Sequence, residues 1–236
     1  MHYLPFISTL VTLAFAMAVF TRYLKRRGPH LLMWTIGLVF FGLGTLAEVL
    51  LAFSFHGLVL KLWYLSGAML TAAWLGQGSI HLLVRKPGIA WTLTGILAVV
   101  SLLAATLVLT APLSAAASSY DPTRAISSQY KAIMTRGGLT IALTIILNIY
   151  GTLALVGGAV YSAILFFRKR VLVNRMIGNI LIAFGAMAPA MAGSFVNMGL
   201  PDLLYLSELI GVILMYIGFV NSTMAPAREA VLEPEH

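Results

Sequence analysis

Apolar residues in this chain run on for about twenty positions at a time, broken by short polar clusters, with no regular alternation. A helix of roughly 20 residues is what crosses the hydrocarbon core of a bilayer. Strands of a membrane β-barrel would alternate apolar and polar positions. Helices satisfy their own backbone hydrogen bonds in lipid and are the spanning element that fits. The pattern predicts helices near residues 3–22, 31–53, 59–84, 89–111, 138–167, 174–198 and 203–223. The expected fold class is all-α: a polytopic bundle of seven transmembrane helices over residues 1–225.

The polar breaks orient the bundle. The first apolar run ends in "RYLKRR" and has no Lys or Arg before it. A cleavable signal peptide carries its positive charge ahead of the apolar stretch, so this run reads as a spanning helix with its N-terminus outside. Arg22, Lys25, Arg26, Arg27, Arg85, Lys86, Arg168, Lys169, Arg170, Arg175 and Arg228 then fall inside. Only Lys61, Arg124, Lys131 and Arg136 fall outside. This asymmetry follows the positive-inside rule and puts the C-terminus inside.

Composition agrees: 60% of residues are apolar and 9% charged, and the mean hydropathy is +0.96. A soluble domain carries about 25% charged residues. The net charge of +8 is explained by topology and by attraction to anionic lipid. Without a recognition module beside it, the basic excess gives no reason to expect a nucleic-acid partner. The absence of cysteine excludes disulfides and thiolate chemistry. A multi-pass protein of the plasma membrane is expected, with the lipid bilayer as its first partner.

One connection is long. Residues 112–137 hold Asp121-Pro122, an acceptor at a helix N-cap followed by a residue without a donor. These predict a helix over 121–136, stopped by Gly137 and Gly138. Ile126, Tyr130, Ile133 and Met134 share one face of it, as in a helix lying at the outer interface, either inert or a lid. Residues 226–236 read as a disordered cytoplasmic tail, and no soluble output domain is legible.

The chain echoes itself. Tyr64-Leu65-Ser66 recurs as Tyr205-Leu206-Ser207, and the same shift lays Ile36-Gly37 on Ile177-Gly178, Gly44 on Gly185, Ala47 on Ala188 and Arg27 on Arg168. The predicted organisation is a 3+1+3 parallel repeat: halves 1–84 and 138–223, joined by a linker helix at 89–111. Parallel repeats are one plan of transporters, and this layout resembles the SWEET and PQ-loop families. Their Pro-Gln pair is missing. The stretches "HLLMWTIGLVFFGLGTLAE" and "LWYLSGAMLTAAW" resemble the seven-helix sensor regions ahead of some bacterial histidine kinases. That resemblance implies sensing at a bacterial inner membrane. A retinal protein is excluded, because the last span holds no lysine.

Ionisable groups inside spans are costly and point to function. There are two, Glu48 and Glu208. Each lies about five residues from the outer end of its span, roughly 7–8 Å deep at 1.5 Å per residue. Gly37 and Gly44 share a face with Glu48, and Gly211 and Gly218 with Glu208. Small residues mark close helix contacts, so both carboxyls should face the bundle. With Tyr64, Ser66, Tyr205, Asn197 and His56 at similar depth, they form the candidate ligand-binding set of an outward-facing pocket. Each glutamate alternatively serves only to fix helix register. Trp63 reads as a belt aromatic of the interface.

Gln77 and His81, one turn apart, are placed to bond each other. Pro189 interrupts the sixth span as a hinge or a static bend. No cofactor, metal set or catalytic constellation is legible, so no enzymatic activity is expected. Two readings stand. One is a non-catalytic small-ligand-binding protein, a sensor or accessory subunit with a protein partner or second copy. The other is a facilitative or proton-linked transporter.

Overall fold

A computed structural model describes residues 3–86, 88–169, 173–197 and 202–223, without the side chains of 169, 173, 189–197 and 202. Among the described residues, eight long or short α-helical elements follow one another, with a 3-10 helix at Ala115–Ser119 between the fourth and fifth: α1 Tyr3–Arg26, α2 Pro29–Phe53, α3 Gly57–Leu83, α4 Ile89–Thr110, α5 Ile126–Ile133, α6 Gly138–Lys169, α7 Val173–Asn197 and α8 Asp202–Thr223. Among the described residues, the only β-pairing is a single bridge, Leu113 to Met134. Six of the helices are long and apolar enough to cross a membrane: α1, α2, α3, α4, α6 and α8. Their outward faces carry Leu, Ile, Val and Phe, among them Leu102, Leu153 and Phe167. Exposed apolar surface on this scale suits lipid, not water. The chain is a multi-pass membrane protein.

Helix ends fall where local chemistry puts them. Gly28 and Pro29 open α2, with the proline in the first turn where its missing N–H costs nothing. Within the spans, hydroxyls are satisfied by carbonyls one turn back, as Thr12 is on Ser8 O at 2.6 Å and Thr35 on Leu31 O at 2.8 Å. Thr9 Oγ1 also donates to Thr45 Oγ1 at 2.9 Å, joining α1 to α2.

The long helices pack in a closed order. α1 lies on α2, α2 on α3, α3 on α6, α6 on α7, α7 on α8, and α8 returns to α1. α4 stands outside this ring against α3 and α6. Glycines set the tightest crossings. A Cβ at Gly44 would sit 2.7 Å from Gly67 Cα, one at Gly151 2.1 Å from the Ala72 carbonyl carbon, and one at Gly185 2.6 Å from Gly211 O. No side chain fits at such distances, so backbones touch there.

α3 is not uniform. Tyr64–Leu70 forms a π-helical stretch, in which the Thr71 N–H and hydroxyl both turn to Ser66 O, the hydroxyl at 2.8 Å. Asn148 of α6 donates to the Ala68 carbonyl inside this stretch at 2.8 Å. The second Tyr-Leu-Ser lies in the regular α-helix α8.

The long connection differs from expectation at its start. Its helix begins at Ile126, not at Asp121. Asp121 Oδ1 is taken by Thr123, accepting from its N–H at 2.9 Å and its hydroxyl at 2.6 Å. Gln129 then closes the turn, donating to Asp121 O and Arg124 O at 2.9 and 3.0 Å. The two ends of the connection are tied together by Ser114 N–H to Ile133 O at 2.8 Å and Thr135 N–H to Pro112 O at 3.1 Å. The apolar face is turned into the bundle: Ile126, Ile133 and Met134 join the buried cluster around Leu51, Trp63 and Tyr64.

Candidate functional site

The two carboxyls meet. Glu48, five residues from the C-terminal end of α2, is 4% exposed, and its side chain lies against that of Glu208 on α8. The indole N–H of Trp63 donates to Glu48 Oε1 at 2.9 Å. Oε2 of each glutamate is buried and receives no hydrogen bond from the protein.

They border a cavity of about 780 Å³ lined by α2, α3, α6, α7 and α8, with α5 across the end that holds the carboxyls. The glycine crossings explain why it exists: backbones that touch at Gly44–Gly67 leave no side chain to fill the centre at that level. At the α5 end it is polar, with Ser127, Tyr130 and Lys131 joining Trp63 and the carboxyls. Thr71 and Asn148, both bonded to the π-helical stretch, lie in its wall. Phe41, Leu75, Leu155 and Met215 form its floor. These four also belong to an apolar cluster with Phe15, Val19 and Phe219.

Aromatic and cationic groups pack the cap. The Trp63 and Tyr130 rings meet edge to face at 5.2 Å. The Arg136 guanidinium stands over Tyr130 at 4.8 Å and over Tyr64 at 5.7 Å. Burial pushes the Tyr130 phenol up, with Arg136 opposing. Burial, with the Asp121 and Glu48 carboxyls near, pushes Tyr120 up to about 12. It therefore remains a donor, holding Leu51 O of α2 at 3.0 Å. Asp121 is held below the usual carboxylate range by its bonds from Thr123.

The remaining expected residues divide. Tyr205 sits beside Glu48 in a small adjoining pocket of about 30 Å³ that also includes Tyr120. Tyr64 is buried behind the cavity wall, its hydroxyl 2.8 Å from Thr144 Oγ1. Ser66 is likewise spent in the wall, donating to Leu62 O at 2.6 Å. His56 is exposed at the start of α3, away from the cavity lining. The side chains of Asn197 and Pro189 lie outside the described residues. Trp63 corrects the belt reading: it is 7% exposed and bonded to Glu48. A belt aromatic and a pocket donor share a depth, and only the facing direction separates them. Asn148 was missed, although an amide eleven residues into α6 is itself a signal in an apolar run.

Gln77 and His81 do not bond each other; both turn to Thr94, at 2.8 Å each. Gln77 also donates to Ala90 O at 2.9 Å and accepts from the Tyr150 hydroxyl. Fully satisfied, it fastens α4 to α3 and α6, away from the cavity.

Comparison with family models, with curated proteins and with solved structures finds no match. The functional reading rests on the site's own geometry.

Proposed function

We propose that the chain is a seven-helix protein of the plasma membrane, N-terminus outside and C-terminus inside, that binds a small ligand without transforming it. In this reading α7, 25 residues long, is the seventh span. The protein serves as a sensor or as the ligand-binding subunit of a membrane complex. The carrying observation is the carboxyl pair: Glu48 and Glu208 border a cavity while one oxygen of each lacks a donor. Burying such groups unpartnered costs stability, which a bound ligand would recover. The apolar floor favours binding over passage, because Phe41, Leu75, Leu155 and Met215 offer a polar solute nothing to follow inward.

Transport is the second reading, favoured by helix order. Exchanging α1, α2 and α3 with α6, α7 and α8 maps the ring of contacts onto itself. That supports a parallel repeat with α4 as linker, the layout of SWEET-like carriers.

Native mass spectrometry of mildly extracted protein tests the first reading. Wild type should retain a small molecule that Glu48→Gln loses, and proteoliposomes loaded with that molecule should show no counterflow. A chain that retains nothing, or that exchanges the molecule across the bilayer, overturns it.

A further inference from the structure

We infer that the cavity takes an amphiphilic organic cation, an ammonium head on an apolar tail, admitted sideways from the outer leaflet. The inference rests on the ligand-binding reading above and names its ligand class. Three observations converge.

The first is the carboxyl pair. Two carboxylic side chains, Glu48 and Glu208, line the α5 end of the cavity, and one buried oxygen of each accepts no hydrogen bond. An ammonium group brings several N–H donors, which the two free oxygens lack. Trp63 presents an aromatic ring at the same end, and aromatic faces attract cations. Lys131 also lines the cavity but is exposed, on the capping helix α5.

The second is a gradient of polarity with depth. Glu48, Trp63 and Glu208 stand five to six residues from the outer ends of their helices, about 8–9 Å deep. Phe41, Leu75, Leu155 and Met215 stand twelve to eighteen residues from theirs, about 18–27 Å deep. A molecule filling this space has its charge near the outer surface and its apolar body towards the bilayer midplane.

The third is access. The outer end is covered by α5, whose Ser127 is buried. Ile149 and Leu153 of α6 line the cavity yet are 55% and 69% exposed. They stand about 16–22 Å from the outer end of α6, in hydrocarbon. There the cavity reaches the lipid-facing surface, so its ligand partitions into the membrane before it binds.

The probe is decylammonium, titrated into the protein in zwitterionic nanodiscs, with empty nanodiscs subtracted. Decanol, decanoate and ethylammonium are the comparisons. Decylammonium should bind saturably, at least tenfold tighter than decanol, while decanoate and ethylammonium should show no saturable binding. Glu48→Gln and Glu208→Gln, each checked for monodispersity, should weaken decylammonium at least tenfold. Decanoate binding as tightly as decylammonium, or both glutamine variants keeping wild-type affinity, overturns the inference. If decanol matches decylammonium and Ala186→Phe abolishes both, the cation assignment falls while the cavity-binding reading stands. If no probe binds, this inference falls, and the molecule retained in mass spectrometry judges the other reading separately.

Discussion

At Glu48 one hydrogen bond separates a satisfied carboxyl oxygen from an orphaned one. Trp63→Phe keeps the ring and removes the donor, leaving Oε1 as bare as Oε2. The expected loss is about 1–3 kcal/mol, the cost of leaving a buried polar atom unpaired. Glu48→Leu removes the acceptor as well, so Trp63→Phe made on that background should cost clearly less. Reversible unfolding in mixed detergent micelles measures both; equal costs on the two backgrounds would show that the indole contributes packing alone. The same pair shows what a sequence reveals about single residues. Depth is legible by counting from a helix end, and the Gly37–Gly44 seam told which way Glu48 faces. Trp63 has a single glycine, Gly67, one turn along its face, and its depth alone suits the interface equally well. Tyr64 and Ser66 share the depth too, but they face the wall, where Thr144 and Leu62 occupy their hydroxyls.

Helices were legible because apolar run length and backbone satisfaction in lipid are one constraint: each span begins and ends within a few residues of its polar break. What escaped was irregularity. The π-helical stretch at Tyr64–Leu70 carries the same Tyr-Leu-Ser as the regular α8, so the tripeptide does not decide the helix type. Its partners do: Asn148 on the Ala68 carbonyl and Gly44 against Gly67. π-turns often mark functional sites, and this one brings Gly67, Ala68 and Thr71 to the cavity. Crossing points between elements follow the same logic and are testable by a matched pair of alanines. A Cβ at Gly151 would overlap the Ala72 backbone, whereas one at Gly157 meets nothing within 4 Å. Gly151→Ala should cost about 1–3 kcal/mol by forcing α3 and α6 apart. Gly157→Ala should be neutral or stabilising by up to about 1 kcal/mol, the helix-propensity difference. Thermal unfolding of the two variants side by side checks this; equal melting temperatures would mean that the α3–α6 crossing yields to a methyl group.

For the molecule as a whole, the ring order and the side of each terminus are linked. A helix bundle whose two halves exchange into each other requires three spans on each side of a linker, seven in all, with its ends on opposite faces. A bundle of six spans would put both ends on the same face. The chain contains no cysteine, so single cysteines report topology without further engineering. Ser119 is exposed on the long connection and Lys86 on the loop before α4. With a membrane-impermeant maleimide on intact cells, Ser119→Cys and His2→Cys should label. Lys86→Cys and Glu235→Cys should label only after permeabilisation. Labelling of the two termini from the same side removes α7 as a span, and with it the repeat. Inversion of all four keeps the repeat but turns the cavity's polar end inward. A ligand would then approach from the cytoplasmic leaflet, because the carboxyl pair is fixed to whichever face carries α5.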